Sequence, residues 1–398
     1  MRNENEEMRN EGLRMLVIAD DITGAAEIAG MAYSKGQQVR LLCADCTDSA
    51  GCTDSVGNTT ITVIATDTRS MTEAEATAET RRLASFLISH SSFLISPADS
   101  SFLIPHFSFL LFKKTDSALR GHVVAELAAL MEATGFQRAV YLPANPSKGR
   151  VIRGGIYYIK GVPIHETAFS YDPEFPARTS LLSERFPHAA EKGIVMPDAV
   201  SDDDIRRIVE QYNDGRTLFA GAADLFSALL APASAPLLEG TRECGGHCKT
   251  LLLCGSTQSK PLDIGLPIAA MPRAVYDGEQ TAADWFRLVG DQWAVANGLI
   301  LTIPHTHRTG KDIAVHLRTV MAEMTRLLVA LCRPRHLVIE GGATAWATLQ
   351  ALGWTDFHIR QQFAPGVVQM ENVTNGTLVT LKPGSYPWGR LFAAGQAD

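Results

Sequence analysis

Short apolar runs recur along the chain, each followed by a stretch of helical spacing, and this alternation constrains the fold more than any other feature. Met15–Ala19 reads as a buried strand and Thr23–Ser34 as a helix closed by Gly36. Val39–Cys43 and Ile61–Thr66 read as strands, and Thr72 with Glu75 forms a capping box that opens a helix toward Ile88. Phe109–Phe112 runs into Lys113 and Lys114, a helix spans about Val123–Thr134 with Gly135 behind it, and Ala139–Leu142 closes another strand. From Arg150 to about Asp198 glycines and prolines predict loops, ending in a strand at Gly193–Met196 and a helix capped by Ser201 with Asp204.

A strand near Leu218 and a short helix precede an Ala-, Pro- and Gly-rich stretch at 231–249, which reads as a linker. A second alternating unit follows. Its strands are Leu251–Cys254, Leu299–Ile303 and Leu337–Glu340, and its helices are a Thr281-capped one, a long one over about Asp312–Cys332, and one opening at Gly341 and Gly342. The fold class expected is α/β, with domains at 14–230 and 250–398, each a largely parallel sheet flanked by helices, and the active site in the interdomain cleft.

Composition narrows the function. The chain has 398 residues, 46% hydrophobic and 20% charged, enough apolar material for two packed cores. Its net charge of −7 argues against a nucleic-acid or anionic-membrane footprint and favours small-molecule partners. Met1–Arg14 lacks the apolar core of a signal peptide, and the most apolar stretch, Phe102–Phe112, carries Pro105 and His106 and is far shorter than a membrane span. Seven cysteines without scaffold density fit a reducing cytoplasm. Cys43, Cys46 and Cys52 could supply part of a zinc site, as could Cys244, His247 and Cys248, but the two groups are far apart in sequence; both read as loop thiols, and no resident metal is expected. His305 and His307 have no third ligand nearby. The motif Ser-Phe-Leu-Ile at 85–88, 92–95 and 101–104 recurs at irregular spacing and reads as a local duplication lengthening a connection.

Loops leaving the C-terminal ends of strands collect functional groups in an open α/β sheet. Asp20 and Asp21 follow the first strand, where they could receive hydroxyl hydrogen bonds, hold a cation or act as a base; a helix cap would need only one of them. Asp67 and Arg69 leave the third strand, and Lys114, Asp116, Ser117, Arg120 and Gly121 the next. Cations beside aspartates suit a ligand with both a carboxylate and hydroxyls. The run 143–150, Pro-Ala-Asn-Pro-Ser-Lys-Gly-Arg, makes a rigid loop in which Gly149 allows close approach beside Arg150. In the second half, Gly255-Ser256-Thr257 and Gly341-Gly342-Ala343-Thr344 read as glycine-rich phosphate cradles, with Lys382-Pro383-Gly384-Ser385-Tyr386 as a third backbone loop. Neither GxxxxGK[ST] nor GxGxxG occurs, so P-loop and Rossmann dinucleotide readings lose support. A phosphoacceptor receiver domain would use Asp20, Asp21, Asp67 and a lysine at 113 or 114, but leaves the later motifs without a role.

Ala19-Asp20-Asp21-Ile22-Thr23-Gly24-Ala25 and Lys114-Thr115-Asp116-Ser117-Ala118-Leu119-Arg120-Gly121 resemble the ADDLTGA and K-x-DSTLRGN motifs of the four-carbon acid sugar kinases. The proline loop, Tyr158–Gly161, His165–Thr167 with Asp172-Pro173, Gly255-Ser256, Gly341–Ala345, 364–367 and 381–384 continue the likeness in order. The resemblance implies an acid-sugar-binding N-terminal domain, an ATP-binding C-terminal domain and phosphoryl transfer to a terminal hydroxyl, with magnesium accompanying ATP. It places Asp20, Asp21, Arg69, Asp116 and Arg120 against the sugar acid, and Ser256, Gly341, Gly342, Ala343, Thr344 and Gly384 against ATP. With Lys114, Ser117, Gly149 and Arg150 added, that is the expected site; Asp21 or Asp116 would take the hydroxyl proton and Arg120 would anchor the carboxylate. The family's Thr is Ala118 here, its Asn is His122, and the acid usual after the glycine pair is Ala343. The altered loops leave a second reading, a non-catalytic sugar-acid or nucleotide binding protein. A homodimer is the assembly to test.

Overall fold

The computed structural model describes residues 14–45, 60–89, 109–172, 174–230, 249–256, 264–304, 310–384 and 386–392. All of the linker expected at 231–249 except Lys249, two of the three Ser-Phe-Leu-Ile repeats, Cys46, Cys52, the Cys244–Cys248 cluster, the pair at 305 and 307, Thr257 and Ser385 lie outside the described residues. Packing divides the chain into two units, Met1–Ile28 with Gln37–Ser234, and Ala29–Gly36 with Ala235–Asp398.

In the N-terminal unit, β1 (Arg14–Ala19) leads into α1 (Ile22–Ser34, of which the residues up to Ile28 belong to this unit), then β2 (Val39–Cys43), β3 (Ile61–Ala65), α2 (Glu73–Ser89), β4 (Phe109–Lys114), α3 (Val123–Thr134) and β5 (Arg138–Leu142). After β6 (Arg150–Arg153), β7 (Ile156–Ile159) and β8 (Val162–Pro163) come β9 (Ile194–Val195), α4 (Asp202–Tyr212), β10 (Thr217–Gly221) and α5 (Ala223–Leu229). The main sheet runs β2-β3-β1-β4-β10-β5-β9 with every pair parallel. Val17, Ile18, Val63, Ile64, Phe112, Val140 and Phe219 are buried, which accounts for strands that read as unbroken apolar runs. Phe112 meets Phe226 of α5 at 5.4 Å between ring centroids.

The helix ends follow local chemistry. Thr72 and Glu75 exchange cap hydrogen bonds ahead of α2, Ser201 and Asp204 form a full capping box on α4, and Gly135 closes α3 at φ 80°. The segment expected as loops contains instead a three-stranded antiparallel sheet, β6-β7-β8. Its glycines are the hairpin turns: Gly154, Gly155 and Gly161 all have positive φ, and strands this short leave too little apolar pattern to read.

In the C-terminal unit, β11 (Thr250–Cys254), β12 (Ile268–Ala270), α6 (Ala282–Val295), β13 (Gly298–Thr302), α7 (Lys311–Leu331), β14 (His336–Glu340) and α8 (Gly342–Leu352) precede β15 (Asp356–Ala364), β16 (Val367–Asn372) and β17 (Leu378–Lys382). The order is β12-β13-β11-β14-β17-β16-β15. Pairing is parallel from β12 to β17 and antiparallel across β17, β16 and β15. The β15–β16 hairpin was not expected, because β15 carries His358, Arg360, Gln361 and Gln362 among its apolar residues. Leu252, Ile300 and Val338 align as one buried row, and the indole of buried Trp293 donates to the carbonyls of Leu328 (2.9 Å) and Cys332 (3.1 Å). Among the described residues, no helix is long and apolar enough to cross a membrane.

Candidate functional site

Register puts the polar strand ends of the N-terminal unit at one edge: Ala19 pairs with Ala65 on one side and Lys114 on the other, and Gly221 pairs with Lys114 and Leu142. Asp20 emerges almost wholly buried, and Arg69 grips it with both arms, Nε to Oδ2 at 3.1 Å and Nη2 to Oδ1 at 2.9 Å. The same Nη2 lies 3.1 Å from Asp21 Oδ1. Asp21 also caps α1, accepting from the Gly24 amide (2.8 Å) and the Thr23 hydroxyl (2.5 Å). Glycine is needed at 24, since a Cβ there would stand 2.6 Å from Asp21 Oδ1 and 3.2 Å from Lys114 Nζ.

Asp116 accepts from Arg120 Nε (2.7 Å) and Nη2 (3.2 Å) and from the amides of Ala118 (3.1 Å) and Arg120 (3.3 Å). Arg120 also lies 3.6 Å from Asp172. Between them Leu119 takes φ 63°, uncommon for a branched side chain, and its carbonyl accepts from Arg185 Nη2 at 3.1 Å. Gly121, at φ 98°, lets this loop close on Asp20: a Cβ would lie 3.5 Å from Asp20 Oδ2. Beneath, a buried ion pair of Lys113 and Glu126 (2.6 Å) takes a hydrogen bond from Thr68, the neighbour of Arg69.

The carboxylates are tuned apart. Burial raises the Asp20 pKa, an effect that Arg69 offsets only in part. At Asp21 burial also pushes upward, but Arg69, the Thr23 hydroxyl and Lys114 outweigh it and the group sits below its ordinary value. At Asp116 the same contest between burial and the guanidinium groups of Arg69 and Arg120 ends well below the usual carboxylate range. Asp21 and Asp116 are therefore ionised at neutral pH.

The loop after β5 is fixed at both ends. Asn145 and Arg150 exchange backbone hydrogen bonds (2.7 and 3.1 Å), and Ser147 is held by Asp224 through its amide and hydroxyl, each at 2.8 Å. Gly149 takes φ 67° and accepts from the Lys160 amide. Lys148 pairs with Glu27 of α1, which also lies 3.7 Å from Lys114, and Arg150 donates to the Ser117 hydroxyl. A cavity of about 820 Å³ in this unit is lined by Gly121, His122, Phe175 and Arg185 among others, and by none of these aspartates.

In the C-terminal unit, Cys254 pairs with Glu340 and Glu340 with Lys382, so the loops after β11, β14 and β17 start level. Their glycines allow the loops to touch. A Cβ on Gly255 would fall 2.2 Å from Thr344 Oγ1, and one on Gly384 would fall 2.3 Å from Ser256 Oγ. Gly341 opens α8 at φ 100° without a side-chain cap, leaving the amides of the first turn for an anionic ligand. Lys382 is buried and fixed by Glu340 (2.5 Å) and by the carbonyls of Pro383 (3.1 Å) and Gly384 (3.2 Å), with Trp388 4.7 Å away. Burial and Glu340 push the Cys254 thiol up to about 12, so it is no nucleophile. Among the described residues no group of three or more His, Cys, Asp or Glu has the geometry for a metal ion.

Asp20, Asp21, Arg69, Lys114, Asp116, Ser117, Arg120, Gly149 and Arg150 thus lie where β1, β3, β4 and β5 end, at one edge of one sheet, and Ser256, Gly341, Gly342, Ala343, Thr344 and Gly384 follow three neighbouring strands of the other. Asp67 instead takes the Ser70 hydroxyl (2.8 Å) at the short turn bearing Arg69. Sequence reading missed Glu27, Phe169, Asp224 and Arg185 as partners of these groups. Glu27 follows Asp21 by six positions on a helix facing the same edge, and that spacing was the available signal.

A family model described as a sugar-binding N-terminal domain matches residues 15–188, and one described as a nucleotide-binding C-terminal domain matches residues 292–386. The chain is 24% identical to a 3-oxo-tetronate kinase of Brucella melitensis, covering 96% of this chain and 95% of that one, and 25% identical to a D-threonate kinase of Bordetella bronchiseptica, covering 90% and 88%. A D-threonate kinase of Salmonella typhimurium is 28% identical over 54% of this chain and 53% of its own length. Solved proteins from Haemophilus influenzae (TM-score 0.66, 19% identity, covering 96% of this chain and 99% of that one) and Salmonella typhimurium (TM-score 0.71, 18% identity, 96% and 98%) share the fold. With a sugar-binding domain followed by a nucleotide-binding one, and a likeness to kinases of four-carbon sugar acids over nearly the whole chain, the chain belongs to the four-carbon acid sugar kinase family.

Proposed function

We propose that this protein is an ATP-dependent kinase that phosphorylates the terminal hydroxyl of a four-carbon or closely related sugar acid, of the threonate, erythronate or 3-oxo-tetronate kind, in carbohydrate-acid catabolism. The observation that carries this is the interleaving of three carboxylates with guanidinium and ammonium groups at the strand ends of the unit matched as sugar-binding. Carboxylates of that kind receive substrate hydroxyls, and the cations neutralise an acid. The glycine cradle of Ser256, Gly341–Thr344 and Gly384 in the other unit suits a nucleotide's phosphates.

Phosphoryl transfer through a loose transition state depends on positioning and charge stabilisation more than on a strong base. Asp21 and Asp116, both ionised, orient the attacking hydroxyl, and one of the two takes its proton as the hydroxyl oxygen bonds to the γ-phosphorus and the bond from that phosphorus to the β,γ-bridging oxygen breaks, releasing ADP. When bound with ATP, magnesium would neutralise phosphate charge. The acid beside the cradle, Glu340, is paired with Lys382, and so we assign that ion to the nucleotide's phosphates and water instead of to a protein cage.

The test is ATP consumption with magnesium across a panel of four-carbon sugar acids, with thermal-shift binding in parallel. Turnover of one acid is expected. Ala343 and Pro383 within the cradle favour one alternative, a binding protein whose nucleotide site has decayed; stabilisation by an acid without turnover would establish it.

A further inference from the structure

The cations on the loops leaving β1, β3, β4 and β5 are Arg69, Lys114, Arg120, Lys148 and Arg150, and all but one already face a carboxylate of the chain. Arg69 meets Asp20 and Asp21, Lys114 and Lys148 meet Glu27, and Arg120 meets Asp116 and Asp172. Arg150 has no carboxylate partner among the described residues. Its guanidinium donates to the Ser117 hydroxyl and lies 5.7 Å from the centroid of the Phe169 ring.

Arg150 is nevertheless partly buried and fixed at both ends. Its backbone is locked to buried Asn145, whose Oδ1 accepts from the Asp224 amide at 3.1 Å. At the tip, the Ser117 carbonyl accepts from the Tyr157 hydroxyl at 2.5 Å, so the serine that Arg150 touches is itself immobilised. Phe169 also lies 6.0 Å from the Arg120 guanidinium. Two guanidinium groups therefore share one ring, one neutralised by Asp116 and the other not. A positioned, partly buried guanidinium without countercharge among the described residues, beside an aromatic ring, is the arrangement that captures a carboxylate.

We propose that Arg150, with the Ser117 hydroxyl beside it, receives the substrate's carboxylate, and that this contact makes the enzyme specific for acids. Arg120, expected from the sequence to be that anchor, serves instead to hold Asp116. The inference rests on the kinase reading and adds the subsite that selects the substrate class.

The experiment compares wild type, Arg150→Lys and Arg150→Met on D-threonate and D-erythronate, and on threitol and erythritol, which lack the carboxylate. For Arg150→Met, KM for the acid should rise about ten- to hundredfold, the range for a lost charged hydrogen bond, with KM for ATP unchanged. The polyols should be used equally poorly by wild type and Arg150→Met, and Arg150→Lys should recover part of the loss. An unchanged ATP KM shows that the variant is folded. An acid KM within twofold of wild type in Arg150→Met would overturn the inference while leaving the kinase intact. If wild type turns over none of these compounds, the kinase reading fails separately, and calorimetric binding decides: acid bound by wild type and lost in Arg150→Met supports the subsite, whereas equal binding by both, or none by wild type, overturns it.

Discussion

Asp116 is engaged on both oxygens, and its role is separable from its packing. Asp116→Asn preserves shape and keeps an acceptor for the Ala118 amide, so the protein should stay folded while kcat falls at least a hundredfold; near-wild-type turnover would remove Asp116 from the chemistry. Arg185 acts one step away, through the Leu119 carbonyl. Arg185→Met should release the positive-φ turn that aims Arg120, raising KM for the sugar acid about tenfold with KM for ATP unmoved. A loss shared equally between both substrates would mean a merely structural role. At this scale the sequence was legible only in part. Aspartates after a strand announce a site, but Asp20, Asp21 and Asp116 differ in charge behaviour because burial outweighs Arg69 at Asp20 while Thr23 and Lys114 at Asp21 and Arg120 at Asp116 add to Arg69 and outweigh it, and neither burial nor the reach of a guanidinium is written in local pattern.

Among the elements, the cradle of the C-terminal unit depends on loops that touch because they lack side chains. Gly255→Ala would drive a methyl group into Thr344 and should destabilise the protein by about 1–3 kcal/mol in urea denaturation. Adding Thr344→Ala should recover part of that loss, since Thr344 Oγ1 and Cγ2 are removed while its Cβ would still stand 2.8 Å away; no recovery would mean that the contact is not the cause. On β14, the partly buried His336 imidazole meets Thr380 Oγ1 at 2.8 Å, and burial pushes its pKa down to about 4. The unfolded chain binds this proton near the ordinary value of about 6.5, so between those values the unfolded state carries more protons and stability falls as pH drops. The loss should be roughly 3 kcal/mol from pH 7 to pH 4, and His336→Gln should flatten that slope. An unaltered slope would place the acid sensitivity elsewhere. Most of these elements were legible: the capping boxes at Thr72, Ser201 and Thr281 and the stop at Gly135 stand where residue chemistry put them. The β15–β16 hairpin and the small β6-β7-β8 sheet were not, because their strands are stabilised by neighbours more than by alternation of their own.

For the whole molecule, two ligands should mark two units. In hydrogen exchange, a sugar acid should protect the amides around 20–24, 69 and 116–121, and a non-hydrolysable ATP analogue those around 255–256, 341–345 and 382–384. Protection of one set by both ligands, each added alone, would contradict the assignment. The amino-acid sequence by itself determined the alternation of strand and helix, the helix caps, and the strand ends at which polar groups emerge, because periodicity and turn chemistry act over a few residues. Only the tertiary structure decided which of those ends are neighbours. β1 lies between β3 and β4, and β14 between β11 and β17, so Asp20 meets Arg69 and Gly384 meets Ser256 across long stretches of chain. That order also settles which cation each acid neutralises and, among the described residues, leaves Arg150 without an acid. Strand order and ion pairing are set by the packing of distant segments, and no local window contains them.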